Sequence, residues 1–293
     1  MSESRRVLIQ GAGAVAAAAG ALLAGTGADV RAASRRDGAV LTAVGPGGDV
    51  QHVPVVRYAD IGPGTVDLVI LTSAPGELDP ATVSALIRAR PTVVGVTSPV
   101  IGDAAIAQRA FPEADVVTLA PGLLSFATSR GIETRAEYWV PPLTPALSAV
   151  AVEGSPRDLP KRLAAEYPTV IGRAPAKAAA AVGVLMVPYA AELAIVGGDW
   201  PTFLRRLRRP GRAMAEAMRA DVGLPAFAPP PVVVRAVLRR LCRTAPFDFP
   251  KFAGNHFVRH ADQSLRILDA WRAMTPRATP ALDSLRDDLA ATL

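Results

Sequence analysis

Residues 6–10 (RVLIQ) form a short, β-branched apolar run that stops at a glycine. The chain continues Gly11-Ala12-Gly13-Ala14-Val15-Ala16 into an Ala- and Leu-rich stretch that closes near Gly27. The spacing G-x-G-x-x-G/A between a strand and a helix constrains the fold more than any other feature. Gly11 permits a tight turn, and Gly13 leaves room for a ligand to approach the main chain. Ala16 is small enough for close helix–strand packing. Residues 28–33 (ADVRAA) read as a second strand, which completes a βαβ unit within about 30 residues. A diphosphate would rest on the amides of Ala12, Ala14 and Val15, where the free N–H groups and the helix dipole favour anions.

The alternation continues. Residues 66–72, 92–97 and 115–119 read as buried strands, with helices over 80–90 and 103–111. Residues 134–140 and 147–153 are expected to add two strands at an edge. Strands separated by helices imply a mainly parallel sheet covered on both faces. After about residue 158 helical patterns dominate, broken by Pro-rich loops such as 228–231. The expected class is α/β: a Rossmann-type doubly wound sheet over residues 1–171, then an all-helical domain over 172–293.

Composition narrows the function classes. Half the residues are hydrophobic and only 5% aromatic, so the core is built mostly from Ala, Val and Leu. The formal charge is +6, from 32 Lys and Arg against 26 Asp and Glu. That excess is mild, and its densest cluster (Arg205, Arg206, Arg208, Arg209, Arg212) reads as a solvated helix face rather than a nucleic-acid surface. One cysteine, Cys242, excludes an intrachain disulfide and a multi-cysteine metal site, reads as a buried structural thiol, and fits a reducing cytosol. The apolar N-terminal stretch after Arg5 and Arg6 mimics a secretory signal, but Gln10 and the close glycines argue against one. The uncharged stretch 178–198 has membrane-spanning length; Pro188 and Glu192 interrupt it, and it is expected to be a buried central helix. No membrane or nucleic-acid partner is expected, and the location is taken as cytoplasmic.

Cofactor preference is written at the end of the second strand. Enzymes that use NAD carry an acid there for the ribose hydroxyls. Here the residues are Ser34-Arg35-Arg36, and guanidinium forks suit a 2′-phosphate. The expected cofactor is therefore NADP(H). Thr72 and Ser73 after the third main strand, and Thr97 and Ser98 after the fourth, are further candidates for cofactor contact. No metal site is expected: His256 and His260 share a helix face, but no third ligand accompanies them.

The opening VLIQGAGAVA, the spacing from Gly11 to Arg35, the stretch DLVILTSAPGELDPATVSAL and the total length together resemble the ketopantoate reductase family (2-dehydropantoate 2-reductases). The resemblance implies reduction of a 2-oxo acid with NADPH. It implies a catalytic lysine early in the helical domain, where Lys177 stands; apolar flanks would lower its pKa and suit it as a proton donor. Lys161 and Lys251 are its rivals. The stretch KFAGNHFVRHADQSLRILDAW resembles the family's final active-site helix. There Asp269 takes the place of the family's acid, and Asn255, His256, His260 and Asp262 are candidate pocket residues. The chain departs from the family pattern at Thr72-Ser73-Ala74-Pro75, at Thr97-Ser98-Pro99 and at Ala181, which leaves ketopantoate itself open as the substrate.

Three readings follow. The first is an NADPH-dependent reductase of a small 2-oxo acid-like carbonyl compound, with Lys177 or a histidine supplying the proton. The second is an opine- or imine-type reductase in which His256 or His260 outranks Lys177. The third is a catalytically inactive NADP(H)-binding protein. The apolar helix from Ala178 to Ile195 is expected to pack against a second subunit in a homodimer.

Overall fold

A computed structural model describes residues 4–142, 144–225 and 227–293. The chain divides into two compact units, the first ending at Pro175 and the second beginning at Ala176. In the first unit the strands are β1 (Arg6–Gln10), β2 (Asp29–Ser34), β3 (Val40–Val44), β4 (Val50–Val53), β5 (Val55–Arg57), β6 (Val66–Leu71), β7 (Pro91–Val96), β8 (Asp115–Pro121), β9 (Leu124–Ser129), β10 (Glu133–Trp139), β11 (Leu147–Ala151) and β12 (Ile171–Arg173). The helices are α1 (Ala14–Ala24), α2 (Pro80–Arg88), α3 (Asp103–Ala110) and α4 (Leu159–Glu166).

Eight strands form the main sheet in the order β12-β11-β8-β7-β6-β1-β2-β5. From β5 to β8 every pair is parallel. Successive residues of each strand face opposite layers. Val7, Ile9, Leu68 and Ile70 bury against α1, whereas Leu8, Val69 and Leu71 join Leu86, Ala107 and Phe111 beneath α2 and α3. Both faces are dry, which is why these strands read as unbroken apolar runs.

A second sheet, in the order β4-β3-β10-β9, covers the outer side of α1. Here the structure corrects an expectation. Residues 134–140 were expected at an edge of the main sheet; β10 instead pairs with β3 and β9 in this separate sheet. The segment 147–153 does join the main sheet, as β11, antiparallel to β8. The short second sheet explains the composition of α1. Ala16, Ala17, Ala18 and Ala19 are wholly buried, because the helix has protein on nearly every side. A Cβ on Gly20 would lie 2.8 Å from a Val53 methyl, so only glycine admits β4 at that distance.

The described part of the second unit is entirely helical outside its loops: α5 (Ala176–Ile195), α6 (Trp200–Arg205), α7 (Arg208–Ala217) with a π turn at Met218–Val222, α8 (Pro231–Thr244), α9 (Phe249–Arg259), α10 (Ala261–Ala273) and α11 (Pro280–Ala290). Helices α7, α9, α10 and α11 surround α5. Its burial differs from expectation. Val184, Ala190, Ala191, Leu193 and Ala194 are buried, but Val182, Leu185 and Met186 are exposed, so only the C-terminal half is a core helix. Among the described residues α5 alone is long and apolar enough to cross a membrane. Cys242 is half-buried on α8, a helix with no buried residue, rather than in a core, and partial burial pushes its thiol pKa up.

Candidate dinucleotide-binding site

The chain passes from β1 to β2 on one side and returns to pair β6 on the other. The order therefore reverses between β1 and β6, and in an open α/β sheet ligands bind at such a switch point, beyond the carboxyl ends of the strands. Residues from four consecutive strand ends meet there: Ser34 to Arg36 after β2, Gly11 to Val15 after β1, Thr72 and Ser73 after β6, and Thr97 and Ser98 after β7.

Gly11 has a φ of +91°, and a Cβ there would come within 3.1 Å of Thr72 Oγ1. Its amide donates to the Ala33 carbonyl at 2.9 Å and to the Tyr58 hydroxyl oxygen at 3.1 Å. Gly13 is the N-cap of α1. It supplies no side-chain cap, and the first turn holds no acid. A Cβ on Gly13 would meet nothing within 4 Å. The first-turn amides of α1 thus lack a side-chain partner and open onto free space, as an anion site requires. These residues fit a dinucleotide diphosphate.

Gln10 clamps the crevice. Its Oε1 accepts from the amides of Thr72 and Ser73, both at 3.0 Å, and its carbonyl accepts from Thr72 Oγ1 at 2.6 Å. The Thr97 hydroxyl donates to the Leu71 carbonyl at 2.9 Å, and Ser98 Oγ accepts from the Val100 amide at 3.3 Å. The hydroxyl protons of Thr72 and Thr97 are thus committed to the strand ends.

The two arginines after β2 differ. Arg35 is 79% exposed and reaches Asp79 Oδ2 at 3.6 Å. Arg36 turns to the Gly131 carbonyl at 2.6 Å, while its amide donates to Ser34 Oγ at 3.0 Å. A third guanidinium lies beside them, because Arg57 on β5 is in register with Ser34. It is held by both Asp60 oxygens, at 2.7 and 2.9 Å. Asp79 caps α2 through the Thr82 amide, and hydrogen bonds from Thr82 hold its carboxyl below the usual range.

Gln10, Arg57, Tyr58 and Asp79 were not among the expected site residues. Gln10 had a signal, as the one polar side chain ending an apolar run immediately before Gly11. Asp79 had one too, since Asp-Pro-x-Thr is a helix start. Arg57 and Tyr58 had none, since their place depends on the β2–β5 pairing. Burial pushes the Tyr58 hydroxyl pKa up, partly offset by hydrogen bonds to Gln10 and Gly11.

In the second unit the candidates are dispersed. Lys177 and its neighbours Ala176 and Ala178 are exposed at the start of α5, so the expected apolar enclosure of the lysine is absent. Gly254 of α9 abuts Gly198, just past the other end of α5. Roughly 27 Å of helix axis separates that crossing from Lys177. Lys177 and His256 therefore cannot share one small substrate group. His256 stacks on Phe252 and lies 4.8 Å from the His260 ring, and burial pulls its pKa down to about 4. Asn255, His260 and Asp262 are exposed, and Asp262 lies 3.8 Å from Arg266. Asp269 is not a free pocket acid: it pairs with Arg286 of α11 at 2.8 Å.

The arginine cluster is likewise not a plain solvated face. Arg209 bonds Glu192 at 2.7 Å and also pairs with Asp288, and Glu192 is wholly buried.

No protein-family model matches the chain, and no curated protein matches it in sequence. Solved structures do. A D-mandelate dehydrogenase in complex with NADH and anilino(oxo)acetate superposes with a TM-score of 0.69 at 17% identity, covering 98% of this chain and 97% of that one. The 2-dehydropantoate 2-reductase of Methylococcus capsulatus gives 0.67 at 18% identity, covering 98% and 96%. A dimeric ketopantoate reductase from Staphylococcus aureus gives 0.60 at 16% identity, covering 98% and 99%. Over almost its entire length, this chain has the fold of the 2-dehydropantoate 2-reductases.

Proposed function

We propose that the protein is a reductase of small 2-oxo acid-like substrates that draws its hydride from NADPH. The observation that carries this reading is the open, uncapped N-terminus of α1 at the switch point, with Gly13 facing free space and Arg35 exposed alongside. The first-turn amides of α1 hold the diphosphate, Gln10 fixes the spacing of β1 and β6 around it, and Arg35 grips the 2′-phosphate. The bound nicotinamide supplies the hydride. Lys177 is the proton donor that the family resemblance implies, and His256 is its rival in an imine-type reaction.

A second reading, binding of NADP(H) without turnover, is favoured by the dispersal of the second unit's polar residues and by the pairing of Asp269 with Arg286. Calorimetric titration separates cofactor from chemistry. NADPH should bind at least about tenfold more tightly than NADH, and Arg35→Ala should erase the difference. Equal affinities in the unaltered protein would refute the NADPH preference. Loss of 340 nm absorbance with a panel of 2-oxo acids and imines supports the reductase; tight binding with no turnover supports the second reading. In a turning-over protein, Lys177→Ala against His256→Ala identifies the donor.

We also infer a homodimer through the exposed face of α5. Val182, Leu185 and Met186 are spaced three and four residues apart, so they form one apolar stripe.

A further inference from the structure

Tyr58 follows β5 directly and opens a single tight turn that ends at Asp60. Arg57, the last residue of β5, is in register with Ser34, the last residue of β2. Tyr58 therefore leaves the sheet beside Ser34 and Arg35, at its carboxyl edge. Its ring packs against the core beneath α2 and α3, and its carbonyl accepts from Arg88 Nη2 at 3.3 Å. Ring and main chain are both anchored, so the hydroxyl has a fixed place.

That hydroxyl is used as an acceptor. Its oxygen accepts from the Gly11 amide at 3.1 Å. It also makes a hydrogen bond with the Gln10 side chain. Gln10 Oε1 is already filled by the amides of Thr72 and Ser73, so Gln10 has only its NH2 group to offer. A phenol oxygen can take two such bonds and still donate one. Among the described residues none accepts a hydrogen bond from Tyr58. Burial pushes the hydroxyl pKa up, so the proton stays in place at neutral pH.

The contact with Gly11 does not by itself account for a tyrosine here, because that amide already donates to the Ala33 carbonyl at 2.9 Å. What remains is an uncommitted O–H at the glycine turn, on a half-buried residue that the charges of Arg35 and Asp79 reach. In a dinucleotide-binding sheet the end of the second strand serves the adenosine ribose. We propose that Tyr58 is a cofactor-binding residue, whose hydroxyl donates to an oxygen in the adenosine 5′-diphosphate portion of the dinucleotide. The assignment rests on the dinucleotide reading above. That portion is common to NADPH and NADH, so Tyr58 adds affinity for both and leaves the choice between them to Arg35.

The experiment titrates NADPH, NADH and adenosine 5′-diphosphate into the full chain and into Tyr58→Phe by calorimetry. The variant keeps the packed ring and should melt within about 2 °C of the unaltered protein. It should weaken all three ligands by the same factor, about five- to tenfold. The NADPH-to-NADH ratio should stay as it was, and in the double variant with Arg35→Ala the two losses of NADPH affinity should multiply. A loss confined to NADPH, a loss that spares adenosine 5′-diphosphate, or affinities unchanged in Tyr58→Phe would each overturn the proposal and leave the dinucleotide reading standing. An unaltered chain that binds none of the three removes both. A measurement on the unaltered protein needs no variant to fold. With tyrosine labelled by 13C at the ζ-carbon, saturation with adenosine 5′-diphosphate should shift one of the four tyrosine signals, and four unmoved signals would overturn the proposal.

Discussion

Gly11 and Gly13 differ by two positions but answer to different forces. Gly11 is required by the fold, since its φ of +91° disfavours any side chain and Thr72 stands in the way. Gly13 is extended, with φ −99° and ψ −172°, and has open space where a Cβ would go. Gly11→Ala should cost roughly 1–3 kcal/mol of stability. Gly13→Val should leave the melting temperature within about 2 °C of the unaltered protein, because no protein atom lies within 4 Å of a Cβ there, and should weaken NADPH by at least about tenfold if the proposed diphosphate site is correct. Thermal melts and calorimetry on the same preparations check both. His256 gives a pH signature. Its folded pKa of about 4 lies below the ordinary 6.5 because burial penalises the imidazolium and His260 adds a smaller repulsion. The folded state then binds fewer protons than the unfolded chain between those values. Stability from this group is complete above pH 6.5 and is lost as pH falls towards 4, by an amount on the order of 1–3 kcal/mol. Urea midpoints at pH 7.5 and 5.0 should fall further for the unaltered protein than for His256→Phe.

Helices with similar sequences meet different fates at the scale of elements. Both α1 and α5 are rich in alanine and nearly uncharged. The second sheet clasps α1, which is buried on almost all sides, and its small residues let β1, β4 and β10 approach. Only the C-terminal half of α5 is clasped, where Pro188 and Glu192 are buried, and its first turns stand clear with Lys177. Composition gives both helices the same reading, because apolarity reports that a surface wants cover and not what covers it. The arginines of α7 show the converse. On sequence they are a solvated face, but Arg209 sits opposite Glu192, seventeen residues earlier in the chain, and supports a buried carboxylate. Tyr189, half-buried in the same stretch of α5, has its hydroxyl pKa pushed up to about 12 by desolvation.

On the scale of the whole molecule, the exposed stripe of α5 predicts an assembly. Leu185→Glu places a charge at its centre, where Leu185 is 50% exposed. The variant should elute as a monomer while the unaltered chain elutes as a dimer, with light scattering as the measure; a monomeric unaltered chain would remove the inferred interface. How much of this molecule was readable in advance follows from the range of the forces involved. Strand and helix periodicity, the glycine turn and the arginines after β2 are properties of neighbours along the chain, and they alone specified the βαβ opening, the parallel sheet, the helical second half and the crevice proposed for a dinucleotide. What lay beyond them depends on partners far apart in sequence: the second sheet from β3, β4, β9 and β10, the clamp of Gln10 on Thr72 and Ser73, Tyr58 against Gly11, Asp269 against Arg286, and Glu192 against Arg209. Local propensity carries no record of such pairs. They exist only once packing has brought the chain together, because burial, not sequence proximity, is what makes an unpaired polar group costly enough to choose its partner.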